Sequence, residues 1–182
     1  MGRGVAAAPA GPWIGVDLGR QELTLWNGER PGWSAPVSTA ANGPGQRRGS
    51  GCTPEGWHCV RALIGAGAPL GAVFVGRRPT GELWGPWLRA SSPGRDWILT
   101  RILWLSGLER GLNRLGEVDT MRRLVYIHGC PDDEPLGVAR SHGCVRMASA
   151  DIAELFGRVP AGIPVWLGGR LPARPLPQRS PR

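Results

Sequence analysis

The chain contains no lysine; all 22 of its basic side chains are arginine. That absence excludes a lysine Schiff base and the lysine of a phosphate-binding P-loop. Long apolar runs are also missing. No stretch approaches the roughly eighteen uninterrupted apolar residues of a membrane-crossing helix, so no membrane span is expected. The start, MGRGVAAAPAGPW, lacks the apolar run of a secretory signal: VAAAPA is short, Pro9 breaks it, and Asp17 soon follows. A myristoylation signal fails as well, because Ala6 stands where Ser or Thr is needed. Read from Met1, the chain is expected in the cytoplasm; a different start would place it in the periplasm. Cysteines number only four in 182 residues, which calls for no disulfide framework.

Other features are abundant. Glycine (29), proline (18) and tryptophan (9) are frequent, which predicts many turns, little long helix, and tryptophans in the core or lining a cleft. The length suits one domain. The net charge of +8 permits contact with polyanions. The arginines fall in a C-terminal tail and in isolated pairs such as Arg47-Arg48, Arg77-Arg78 and Arg122-Arg123. With no basic stripe interleaved with aromatics, nucleic acid is not an expected partner.

Along the chain, residues 1–12 read as a flexible leader. WIGVDL and ELTLW read as strands, Asn27-Gly28 as a hairpin turn, and WSAPVST as the next strand of a meander. Residues 40–56 read as loop, with Cys52, His58 and Cys59 as loop residues rather than ligands. RALIGAG and AVFVGR are strand candidates, and residues 78–96 return to loop. WILTRILWL is expected as a central strand, and RLVYIHG as a buried strand ending at His128. One helix stands out. Ser149 is placed as its N-cap, and Ile152, Leu155, Phe156 and Val159 form an apolar stripe that Pro160 terminates. IPVWL is the last strand. Residues 169–182 are rich in Pro and Arg and read as a disordered tail. The fold class that follows is mainly β, a single domain without alternating βαβ units.

Two of the three histidines are followed directly by Gly-Cys, in YIHGC (126–130) and RSHGC (140–144). A Cys₂His₂ metal cage of His128, Cys130, His142 and Cys144 fits poorly, because H-x-C written twice matches neither knuckle nor helical ligand spacing. A Cys130–Cys144 disulfide is disfavoured in a reducing compartment, although reversible oxidation stays open if the sulfurs are close. The third reading is nucleophilic. A cysteine attacks a carbonyl as thiolate and needs a base, usually a histidine held in one tautomer. SHGCVR offers a Gly-containing turn at Cys144, where the amides of His142, Gly143 and Cys144 could converge on an oxyanion. His128, at the end of a strand, is a rigidly placed base. A core thiol and a satisfied core histidine are the plain alternatives.

At residues 126–167 the sequence resembles the catalytic motif of the L,D-transpeptidase (YkuD-type) family. That motif is a His-Gly, about fifteen residues, Ser/Thr-His-Gly-Cys-x-Arg, a helix and a Gly-x-Pro-Val strand. VDLGRQELTLWNGE, PVST, TPEG and NRLGEVDTMRR match more loosely, so the likeness reaches about four-fifths of the chain. It implies a β-sandwich or barrel-like domain over residues 13–168, with one or two short helices near the active site. It also implies Cys144 as nucleophile, His128 as base and the Gly129 carbonyl as its orienting acceptor. His142 and Gly143, with Cys144, would form the oxyanion hole and pocket wall. Ser141 would shape the turn, and Arg146 would position the loop or a substrate carboxylate. The expected reaction cleaves the bond between an L-diamino acid and the terminal D-Ala of a peptidoglycan tetrapeptide. It proceeds through a thioester, with neither metal nor cofactor.

This chain departs from the pattern at Cys130, where the family usually has Thr, and in the 78–123 insert, expected as a lid. With a cytoplasmic location, the thioester would be released by water, as in an L,D-carboxypeptidase that trims recycled muropeptides. Cross-linking in the periplasm is the alternative, and a non-catalytic muropeptide-binding or zinc-stabilised β module is the alternative of another class. A monomer is expected.

Overall fold

The computed structural model describes residues 8–172. One ten-stranded sheet carries the fold, in the order β3-β2-β1-β10-β4-β7-β5-β6, with β8 on the free side of β7 and β9 beside β8. The strands are β1 (Pro12–Asp17), β2 (Glu22–Asn27), β3 (Arg30–Pro36), β4 (Gly56–Ile64), β5 (Ala72–Val75), β6 (Arg78–Leu83), β7 (Ile98–Gly107), β8 (Tyr126–Cys130), β9 (Val145–Ala148) and β10 (Pro164–Gly168). Two helices accompany them, α1 (Pro86–Ser91) and α2 (Ser149–Arg158). The mainly β expectation holds, and the sheet curls into a half-barrel.

β7 is the hub. Its residues 102–107 pair β4, its start pairs β5, and its opposite edge pairs β8. One ladder partner is not enough to cover it, which is why the sequence there is almost continuously apolar. The other strands alternate. Ile14, Val16, Leu23, Ile127, Val145 and Met147 point into one core, into which α2 inserts Ile152 and Leu155. Both side chains are fully buried, worth about 1.5–3 kcal/mol each.

Several expectations need correction. The stretch 78–96 is not loop; it holds β6, which closes a hairpin with β5, and α1. Pro86 opens α1, where a missing N–H costs nothing, and Leu88 seals it against Val73, Trp97 and Leu99. The expected lid at 78–123 therefore contains the central strand β7; only the β5–β6 hairpin and α1 are peripheral. Ser149 is the first residue of α2 and not its N-cap, because its hydroxyl accepts from Thr100 Oγ1 at 2.8 Å. His58 and Cys59 lie in β4 rather than in a loop. His58 is a satisfied core histidine, its ring nitrogens 2.9 Å from the Gly56 carbonyl and 3.0 Å from Thr120 Oγ1. β8 runs two residues past His128, to Cys130.

The tryptophans divide. Trp13, Trp26, Trp57 and Trp166 form a packed row on β1, β2, β4 and β10. Ala8 and Leu171, assigned to the leader and the tail, pack against that row, and Trp166 Nε1 donates to the Arg170 carbonyl at 2.8 Å. Pro12, the last residue assigned to the leader, already opens β1, and residues 1–7 and 173–182 of these two segments lie outside the described residues. No described helix is long and apolar enough to cross a membrane.

Candidate active site

Strand alternation builds the site. On β8, Ile127 enters the core, so Tyr126, His128 and Cys130 face the opposite side. On β9, Val145 and Met147 enter the core and Arg146 faces that same side. The parallel β8–β9 register sets His128 beside Arg146 and Cys130 beside Ala148. Continued by one residue, it sets Cys144 beside Tyr126, and the Tyr126 N–H meets Cys144 Sγ at 3.3 Å. The nucleophile candidate, the residue just before β9, and the base candidate on β8 thus lie two positions apart along the ladder.

His128 is buried, with Nδ1 2.8 Å from the Gly129 carbonyl. A carbonyl only accepts, so Nδ1 carries the proton and Nε2 keeps its lone pair. Burial holds the His128 pKa below the usual histidine value; the Gly129 carbonyl and Asp96 oppose that shift, and Arg146 adds to it. The ring therefore stays neutral at pH 7 and can accept a proton. The residue at 129 has room only for glycine: a Cβ there would sit 2.6 Å from the Leu99 carbonyl oxygen.

Burial pushes the Cys144 thiol up to about 11, against the lowering pull of the Tyr126 N–H, Arg146 and Arg123. The resting group is a thiol. No hydrogen bond joins it to His128 among the described residues, so proton transfer awaits a bound reactant.

The turn at Ser141–Cys144 is held from all sides. Ser141 Oγ donates to the Cys144 carbonyl at 2.5 Å and accepts from the Gly143 N–H at 3.2 Å. Gly143 has φ +132°, in the region that favours glycine, and a Cβ there would approach the Cys52 carbonyl oxygen at 3.3 Å. Thr53 Oγ1 donates to the Gly143 carbonyl at 3.1 Å, and the Ala41 N–H to the Ser141 carbonyl at 2.9 Å. Across a trans peptide the N–H points opposite to the C=O. Those two carbonyls are anchored, so the N–H groups of His142 and Cys144 point away from their anchors, and neither meets an acceptor among the described residues. Of the three amides expected to face an oxyanion, that of Gly143 is taken by Ser141 Oγ, and those of His142 and Cys144 stay open.

Arg146 is buried and donates to Asp96 Oδ1 at 2.7 Å, with Glu134 Oε2 at 3.8 Å. Its guanidinium is committed to the protein. Asp96 also lies 3.7 Å from Nδ1 of the exposed His142. His142 separates two clefts. One, about 510 Å³, opens on Cys144 and is lined by Arg48, Arg122 and Arg123; the other, about 220 Å³, holds Asp96, Glu134, Arg140 and Arg146.

His128, Gly129, Ser141, His142, Gly143, Cys144 and Arg146 come together as one site. Cys130 is separate. It lies four ladder positions from Cys144, about 13 Å along the strand, too far for the disulfide or the redox recruitment that the two HGC triplets suggested. The four proposed metal ligands do not converge, and no group of three or more His, Cys, Asp or Glu is gathered among the described residues. Sequence reasoning missed Thr53, Asp96, Arg123 and Tyr126 as parts of the site. TPEG and the Arg pair were visible, but their target was not.

Comparison with known proteins bears on this geometry. Among curated proteins no sequence matches the chain. Several solved structures resemble it, and three of them illustrate the likeness. They are an L,D-transpeptidase fragment from Xylanimonas cellulosilytica (19% identity, 91% of this chain, 64% of that one, TM-score 0.51), a cysteine-to-serine variant of the Enterococcus faecium L,D-transpeptidase (15%, 86%, 49%, 0.51), and L,D-transpeptidase 3 from Mycobacterium tuberculosis with a faropenem-derived adduct (17%, 87%, 61%, 0.50). The chain thus spans about half to two-thirds of the length of these structures. At these identities they speak to the fold. Residues 11–167 match the model of the YkuD family, the L,D-transpeptidase catalytic domain, and the chain belongs to that family.

Proposed function

We propose that the chain is a cysteine-dependent acyl-transfer enzyme acting on peptidoglycan stem peptides. The observation that carries this reading is a neutral, tautomer-fixed His128 on the strand beside the half-buried Cys144 thiol, with the amides of His142 and Cys144 unpartnered among the described residues. A carbonyl carbon placed against Cys144 Sγ would receive the sulfur as His128 Nε2 takes the thiol proton. The N–H groups of His142 and Cys144 would hold the developing oxyanion. The protonated His128 would then pass its proton to the leaving nitrogen of D-Ala, leaving a thioester. Ser141 and Thr53 hold the turn, and Arg146 holds Asp96 and Glu134 rather than substrate. No step calls for a metal or cofactor.

Water is the acceptor in the first reading, which makes the enzyme an L,D-carboxypeptidase producing tripeptides, in a monomer. One observation favours transfer to an amine as the second reading: in the cleft beyond His142, Asp96 gives Oδ1 to Arg146, while its Oδ2 has no hydrogen bond among the described residues and suits an incoming ammonium group. The test is incubation of purified protein with a soluble disaccharide-tetrapeptide, followed by mass analysis. Loss of D-Ala alone supports hydrolysis. Dimer, or exchange with added D-amino acid, selects transfer. Absence of any cleavage, or turnover that survives in Cys144→Ala, overturns the proposal.

A further inference from the structure

The cleft that opens on Cys144 has an unbalanced wall. Its arginines are Arg48, Arg122 and Arg123, and no Asp or Glu lines it. None of the three belongs to an ion pair among the described residues. Arg123 is the most constrained. Its Nη1 donates to the carbonyls of Gly45 (3.0 Å) and Gln46 (2.9 Å), and its Nη2 to that of Cys52 (2.5 Å). These bonds fix the plane of the guanidinium and leave Nε–H and one Nη2–H without an acceptor among the described residues. The side chains of Arg48 and Arg122 make no hydrogen bond there either. Asp119, which Arg122 influences electrostatically, has its carboxylate taken by the N–H groups of Leu115 (2.7 Å) and Arg122 itself (3.0 Å).

A half-buried cation without a counter-ion is costly, and carbonyl dipoles compensate it only in part. A planar guanidinium with open donors is suited to a carboxylate. We propose that Arg123, flanked by Arg48 and Arg122, is the carboxylate-recognition wall of the Cys144 cleft, selecting acyl donors that carry a free carboxylate close to the scissile amide. The proposal rests on the acyl-transfer reading for its substrate, though not for its binding test. Two carboxylates of a stem peptide fit the chemistry: the terminal one of the leaving residue, and one on the side chain of the diamino acid.

Binding by Cys144→Ala protein, measured calorimetrically, separates them. Three synthetic tetrapeptides serve as probes: the free acid, its C-terminal amide and its side-chain amide. The free acid should bind about tenfold or more tightly than one of the two amides, and the amide that loses affinity names the carboxylate. Adding Arg48→Gln and Arg122→Gln, whose side chains make no hydrogen bond or ion pair among the described residues, should reduce that preference at least to about a third. Equal binding of all three probes, or a preference untouched by the two substitutions, overturns the proposal. Preferential binding by Cys144→Ala without D-Ala release by the unsubstituted protein would support the wall while rejecting the acyl-transfer reading.

Discussion

Thr53 Oγ1 accepts the N–H of Ala40 at 2.9 Å and donates to the carbonyl of Gly143 at 3.1 Å, across ninety residues of sequence. One fully buried hydroxyl thus aims the Gly143–Cys144 peptide, and with it the Cys144 N–H. Thr53→Val keeps the shape and removes both bonds. Stability should fall by about 1–3 kcal/mol. Turnover should fall about ten- to a hundredfold through kcat more than KM, less than the roughly hundred- to thousandfold cost of losing an oxyanion donor itself. Kinetics on the folded variant check this; a kcat equal to that of the unsubstituted protein would exclude Thr53 from the machinery.

Acid should destabilise the fold through His58. Burial, with a smaller contribution from Arg123, lowers its pKa to about 4, against the raising effect of the Gly56 carbonyl. In the unfolded chain the value returns to about 6.5, so the unfolded state binds the proton first as pH falls. The stability tied to neutral His58 is complete above about pH 6.5 and is lost as pH drops toward 4, amounting to roughly 3 kcal/mol. Chemical denaturation at several pH values measures the slope between these limits. His58→Gln should flatten it, and an unaltered slope would assign the effect elsewhere.

The acid limb of activity should belong to His128. Its pKa lies below the usual histidine value, mainly through burial, and Asp96 opposes that shift. Activity should therefore persist to lower pH than for an exposed histidine and vanish once Nε2 is protonated. Asp96→Asn removes the raising charge and should move the limb further down. A limb that stays in place, or moves up, would contradict the assignment.

Cys130→Thr should leave turnover within about twofold. The Cys130 thiol donates to the Met147 carbonyl at 3.2 Å, a bond a hydroxyl can replace, and burial pushes its pKa up to about 12. Mild oxidation should yield no intramolecular Cys130–Cys144 bridge on non-reducing mass analysis; finding one would break the β8–β9 register.

What could be read from sequence was local. The apolar run of β7, the stripe of α2 and the alternation of YIHG each state their partner face in a few residues. The Ser-His-Gly-Cys turn was equally plain, since Gly143 and Cys144 sit side by side. The unread parts depend on distant pairing. Asp96 reaches Arg146 fifty positions away, and Arg123 reaches Cys52 across seventy-one. Nothing near Asp96 distinguishes it from an ordinary loop residue, and TPEG matched the family motif without showing what Thr53 holds. β6 was hidden by composition, because RPTGEL is exposed along almost its whole length and carries no alternating pattern. Ser149 looked like a cap only because its true partner, Thr100, lies in another strand.

The register of β8 on β9 has an engineering consequence. Histidine and cysteine are positioned by ladder hydrogen bonds, not by the chain that joins them. The connection from Pro131 to Arg140 can therefore be rewritten in part while the pair keeps its spacing, provided Glu134 keeps its ion pairs with Arg89 and Arg146 and Gly137 and Arg140 retain their backbone bonds to Val37 and Thr39. Asp132 and Asp133 are exposed, which makes their junction a site for grafting a recognition loop beside the cleft.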